Sequence, residues 1–218
     1  MRSSTAAEQT RDVLLRILQA KHPSLGAHAS VVTELALRVG RRQGLSAEEL
    51  DELERAAELH DVGKVAIPDE ILEKPSSLNA REWELVRQHS VLGERILSAA
   101  PALRPVAVLV RSTHERWDGG GYPDGLAGAA IPHGARIIAA CDAYHAMTSE
   151  RAFRPPRDAP AARGELLREA GAQFDPAVVE VLLDELRRGA PGPLEPEAPV
   201  QSVEWVVAHL RDALGQSA

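Results

Sequence analysis

The chain has 218 residues, with 25 Lys and Arg against 32 Asp and Glu, and a formal net charge of −7. That length suits one domain around a single core, and a composition 44% hydrophobic but only 3% aromatic makes that core one of Leu, Val, Ile and Ala. The acidic balance argues against a binder of DNA or RNA duplex, which needs a basic face, and no run approaches the roughly 18 apolar residues of a membrane span.

Helical periodicity dominates and nothing reads as alternating strands, so an all-α fold is expected. The opening Met1-Arg2-Ser3-Ser4-Thr5 leads into a polar first helix at 6–20 instead of an apolar signal segment, which points to a cytoplasmic protein. Val13, Leu14, Ile17 and Leu18 share one side of that helix, spaced for core packing or for a homodimer contact. The helix at 26–43 sets His28 at the head of a stripe through Val32, Leu35 and Val39. A third, at 47–59, turns Leu53, Ala56 and Ala57 inward and ends in His60-Asp61. The segment 61–77, with Gly63, Pro68 and Pro75, reads as irregular. Helices at 80–88 and 90–99 meet near His89, and one at 103–113 lines up Val106, Val110 and His114.

Between Glu115 and Pro132 lies a loop with five glycines and two prolines. It is too long for a plain connection, and its glycines suggest tight backbone geometry and close ligand approach. The helix at 133–148 carries Asp142 four residues after Ile138. Beside it, Cys141 is the lone cysteine, which excludes an internal disulfide and fits a reducing compartment. Helices at 161–171 and 176–189 follow. The Pro/Gly/Glu-rich stretch 189–199 reads as a linker, and a last helix near 202–214 admits the same two roles as the first. The organisation expected is an N-terminal helix at 1–21, a domain at 22–188, and a linker with a short helix at 189–218.

Five helices thus each direct an imidazole or carboxylate where the core should be. One buried histidine is usually an ordinary hydrogen-bonded core residue. Several together with buried aspartates pose a desolvation problem, which cations solve by neutralising the carboxylates while imidazoles complete the coordination. Mixed His/Asp ligation suits iron, manganese, zinc or cobalt; calcium and magnesium prefer all-oxygen sites. The adjacent His60-Asp61 at a helix end can converge, with the two oxygens of Asp61 bridging two metals. Two metals about 3.5–4 Å apart are the usual device for hydrolysing phosphate esters, polarising the phosphate and acidifying a bridging water. Read alone, the dipeptide is equally a helix end with a turn-forming aspartate.

The chain resembles the HD-GYP domain, a branch of the HD phosphohydrolases. The matching text is His60-Asp61-Val62-Gly63-Lys64-Val65-Ala66-Ile67-Pro68-Asp69, then Lys74-Pro75 and Arg87-Gln88-His89. After it come His114-Glu115-Arg116-Trp117-Asp118-Gly119-Gly120-Gly121-Tyr122-Pro123-Asp124-Gly125-Leu126, Ile131-Pro132, Asp142-Ala143-Tyr144, Met147-Thr148-Ser149, Arg151 and Gln173-Phe174-Asp175-Pro176. The resemblance covers residues 22–188. It implies an HD-domain helical bundle with a long Gly/Pro-rich loop, and a phosphodiesterase acting on cyclic di-GMP or a related cyclic dinucleotide. It implies a centre of two or three metal ions, most commonly iron or manganese, with His28, His60, Asp61, His89, His114 and Asp142 as ligands. Asp61 and Lys64 become the catalytic residues, Lys64 reaching the scissile phosphate. Gly121, Tyr122 and Pro123 line the substrate, and Arg151 and Arg154 hold its phosphates. These cations meet the need that an acidic protein has in binding an anion.

Three positions depart from the family pattern. Thr113 stands where many members carry a first histidine of a pair, so the second metal is expected to be more labile. Ser24 replaces the glutamate that accompanies a third metal, so two metals are expected. His145 stands in place of an aspartate, one turn past Asp142, and is expected to sit behind the ligands or on the surface. Thr113 and Ser24 favour an alternative reading, a degenerate domain that binds a cyclic dinucleotide or a protein without chemistry. His60, Asp61, Lys64 and Asp142 favour the enzyme. A third reading, an HD hydrolase of another phosphate ester, is opposed by the intact Gly121-Tyr122-Pro123.

Overall fold

The computed structural model describes residues 6–21, 23–150 and 155–189, with the side chains of residues 6 and 23–27 left out. Among the described residues there are ten α-helices and no strand beyond one isolated bridge between Ala170 and Phe174. They are α1 (Ala6–Lys21), α2 (Pro23–Arg42), α3 (Ala47–Leu59), α4 (Asp69–Leu72), α5 (Ala80–Arg87), α6 (His89–Ser98), α7 (Arg104–Ser112), α8 (His133–Thr148), α9 (Ala159–Arg168) and α10 (Pro176–Arg188). The segment expected to be irregular after His60 contains a 3-10 turn at Val62–Ala66 and the single turn of α4. The C-terminal linker and helix expected beyond residue 189 lie outside the described residues.

Local chemistry sets the helix ends. Ser46 and Glu49 form a reciprocal capping box at α3, and Asn79 and Glu82 form another at α5. Asp158 and Asp175 cap α9 and α10 by accepting from the backbone N–H of Ala161 and Ala177.

The core sits where α2, α3, α7, α8 and α10 meet, and the predicted stripes face it. Val32, Leu35, Val39, Leu53, Ala56, Ala57, Val106, Val110, Ala135 and Ile138 are all buried. Truncating one of these large side chains to Ala costs about 2–5 kcal/mol in such an environment. Helix α1 packs on α2, α3 and the 3-10 turn, burying Ala7 and Leu18. Helix α10 is tied to α2 by Glu185, which receives Arg38 and Arg42 at 2.9 Å each. This scaffold brings the inward ends of α2, α3, α6, α7 and α8 to one place.

Candidate metal centre

His60 ends α3, and its Nδ1 donates to the Ala57 carbonyl at 2.7 Å. His89 opens α6 and does the same toward the Val86 carbonyl at 2.6 Å. In both, the proton placed on Nδ1 by that bond leaves the Nε2 lone pair facing inward. The backbone thus fixes two imidazoles in the tautomer that a cation requires.

Six side chains converge in two groups. In the first, His28, His60 and Asp142 offer ligand atoms within 4.8 Å of one another, and in the second Asp61, His89 and His114 do so. All six residues expected as ligands are present. Asp61 joins the groups: its Oδ2 lies 3.6 Å from His60 Nε2 and its Oδ1 3.7 Å from His89 Nε2. His28 Nε2 lies 2.9 Å from Asp142 Oδ1, and His89 Nε2 lies 2.9 Å from His114 Nε2.

The electrostatics favour ionised carboxylates beside neutral His89 and His114. Burial works to raise the Asp61 carboxyl, yet Lys64, His60 and His89 hold it well below the usual carboxylate range. His89 is itself lowered by burial, so Lys64, whose Nζ lies 2.6 Å from Asp61 Oδ2, is the cation that matters most. Asp142 is likewise held down against its burial by the His28 hydrogen bond and by His60. Burial, with His89 beside it, pushes His114 down to about 3. Asp61 Oδ1 is buried without a hydrogen-bond partner. An orphaned anionic oxygen walled by imidazole lone pairs fits a cation bound there, and the His/Asp donor set fits a borderline transition metal.

The approach of the 3-10 turn to α6 depends on Gly63. A Cβ there would stand 1.9 Å from the His89 carbonyl oxygen and 2.6 Å from the Gly93 nitrogen. No side chain fits, and without the approach Asp61 would not reach His89.

The glycine-rich loop folds over the second group. Tyr122 donates its backbone N–H to the His114 carbonyl at 3.2 Å, and its ring stacks on that imidazole at 5.1 Å between centroids. Burial pushes its phenol up to about 12, so it stays protonated. A Cβ on Gly121 would stand 2.3 Å from the Arg116 nitrogen, so that backbone contact also needs glycine. Pro123 follows a cis bond. Sequence reasoning missed what latches the loop. The buried Glu115 carboxylate accepts from the N–H of Asp124 at 2.7 Å and Leu126 at 3.0 Å, and Arg111 grips Asp124 through two 2.7 Å bonds.

His145, expected behind the ligands or on the surface, stands directly behind His28, with their Nδ1 atoms 2.6 Å apart. Thr113 directs its hydroxyl to the Val110 carbonyl at 3.0 Å and belongs to neither ligand group. Arg151, Arg154 and the side chain of Ser24 lie outside the described residues. No described helix is long and apolar enough to cross a membrane.

Comparison with known proteins gives the family and the fold. The HD domain family matches residues 12–178. A 3'3'-cGAMP-specific phosphodiesterase of Vibrio cholerae is 39% identical over 78% of this chain and 33% of its own length. A cyclic di-GMP phosphodiesterase of Thermotoga maritima is 40% identical over 72% of this chain and 43% of its own. The chain therefore spans less than half of these relatives. An HDG"Y"P protein of Bdellovibrio bacteriovorus shares the fold, with a TM-score of 0.62 at 18% identity, covering 75% of this chain and 52% of that one.

Proposed function

The chain belongs to the HD domain family, in its HD-GYP branch, and on that premise we propose that it is a metal-dependent phosphodiesterase hydrolysing cyclic di-GMP or a closely related cyclic dinucleotide. The observation that carries this reading is Asp61, whose two oxygens face two separate groups of ligands, one of them orphaned. His28, His60 and Asp142 would hold one cation, His89 and His114 the other, with Asp61 shared. Iron or manganese is the proposed occupant. Bound there, such a pair supplies Lewis acidity to a phosphodiester and activates water for attack.

The chain's own groups do the rest. Asp61 stays anionic while buried, and Lys64 beside it is a point charge set to stabilise the developing negative charge on the phosphate and the leaving oxygen. Gly121, Tyr122 and Pro123 would form the wall against the substrate, Tyr122 as a protonated donor or stacking surface. Arg151 and Arg154 are proposed as further phosphate contacts. The buried Cys141 thiol, pushed up by its burial and by Asp142, is no competing nucleophile. We propose a cytoplasmic setting, consistent with that lone reduced cysteine.

The test is to load the protein with manganese or with iron under anaerobic conditions, add cyclic di-GMP, and follow the linear product while counting metal per chain. Turnover, abolished together with at least one bound metal in Asp61→Ala, supports the enzyme. Thr113, turned away from the ligand groups, favours the second reading, a receptor. Tight binding of cyclic di-GMP with no turnover under any metal would establish it instead.

A further inference from the structure

Helix α5 buries none of its side chains, yet its last turn runs straight into the ligand His89. At that end the Arg87 guanidinium carbon lies 5.4 Å from the centroid of the Tyr122 ring, the ring that stacks on His114. Other arginines around the loop are engaged: Arg111 with Asp124, Arg116 with Asp118, and Arg136 with Asp175. Arg87 forms no ion pair among the described residues and remains exposed. Trp83, four residues earlier and so on the same helix face, is 48% exposed.

A guanidinium resting on an aromatic ring, with no ion-pair partner among the described residues, keeps its orientation while its five donors face a ligand. Only the Tyr122 ring stands between it and His114 of the second ligand group, beside the loop proposed to cover the substrate. A cyclic dinucleotide carries two phosphodiesters, and only one is at the cations and Lys64 during a cut. On the reading proposed above, we infer that Arg87 is a substrate-binding residue that takes the phosphodiester not being cleaved. Its fork suits two phosphate oxygens, and in a protein of net charge −7 it adds a cation where the anion must dock.

The experiment compares the full manganese-loaded chain with Arg87→Gln and Arg87→Lys. Steady-state kinetics are measured with cyclic di-GMP, and equilibrium binding with a slowly cut phosphorothioate analogue at several salt concentrations. Arg87→Gln is expected to weaken binding by about 10- to 100-fold, as for loss of a charge-assisted bond. It should raise KM with little change in kcat, and flatten the salt dependence of binding. Arg87→Lys keeps the charge without the fork and should fall between. Unchanged KM, affinity and salt dependence in Arg87→Gln, with an active wild type and equal metal content, would overturn the inference and leave the proposed function standing. A wild type that neither binds nor cuts the cyclic dinucleotide defeats that function, and the inference with it.

Discussion

The Nδ1 atoms of His28 and His145 lie 2.6 Å apart, and His145 Nε2 lies 2.9 Å from the Ser149 hydroxyl. If His28 presents Nε2 to a cation beside Asp142, its Nδ1–H donates to His145 Nδ1, and the Nε2–H of His145 donates to the Ser149 hydroxyl. The chain of bonds fixes the tautomer and ring plane of His28 from behind. Removing such a partner typically lowers metal affinity about 10- to 100-fold. His145→Ala should therefore bind its first metal that much more weakly, measured by competition with a chelator. His145→Asp, still an acceptor, should recover most of the affinity. Equal affinity in all three proteins would show that the contact does not orient His28.

The contact at Gly63 makes a sharper demand. Because a Cβ there would overlap the His89 carbonyl, Gly63→Ala has to push the 3-10 turn away from α6. We expect a loss of about 3 kcal/mol or more in urea unfolding, at the upper end of overpacking costs. Gly164→Ala is the control. Its added Cβ comes no closer than 3.8 Å, to Arg168 Nη1, and within α9 it should gain up to about 1 kcal/mol from helix propensity. Equal effects of the two changes would refute the close-approach argument.

These two contacts mark the boundary of what the sequence discloses. The six candidate ligands were legible because they either sit in register with an apolar stripe, as His28 does with Val32, Leu35 and Val39, or end a helix that carries one, as His60 and Asp61 do. Periodicity reports which way a side chain faces. It does not report what lies opposite. That Gly63 meets the His89 backbone or that Arg87 rests on Tyr122 follows from packing between distant segments, and that Glu115 latches the loop follows from how the loop closes on itself. No local pattern encodes such contacts. His145 lay between: its spacing from Asp142 placed it near the site, but only the fold shows that it faces His28.

Acid should weaken the metal-free protein through the same residues. A histidine in the unfolded chain titrates near 6.5, whereas His114 is pushed down to about 3 by burial. Between those values the unfolded state binds more protons, so stability falls as pH falls. Asp61 and Asp142, both held low, add a further loss of the same sign below the ordinary carboxylate range. Glu58 has the opposite sign: burial raises it to about 7, so its contribution grows on acidification. The informative comparison is thus a difference. Chelator-treated wild type should lose more stability than His114→Gln between pH 7.5 and 5.5 in urea titrations. Parallel curves would mean that the fold does not hold His114 neutral.

Lys21 supplies the last test, because it separates placing Lys64, the proposed catalytic cation, from binding the substrate. From the end of α1 its Nζ donates to the carbonyls of Val65 at 2.7 Å and Ile67 at 3.1 Å, and lies 3.3 Å from Asp69. These bonds brace the turn that carries Lys64. Lys21→Met frees two carbonyls at a partly exposed site, where water can replace the lost donor, so stability should fall by only about 1 kcal/mol. The turn then loses its anchor to α1, and the Lys64 ammonium loses its fixed position near Asp61. A misplaced catalytic charge lowers kcat, since it acts chiefly in the transition state. Lys21→Met should therefore reduce kcat with little change in KM, opposite to the pattern expected for Arg87→Gln. A rise in KM at constant kcat would mean that the turn contributes to holding substrate and not to positioning Lys64.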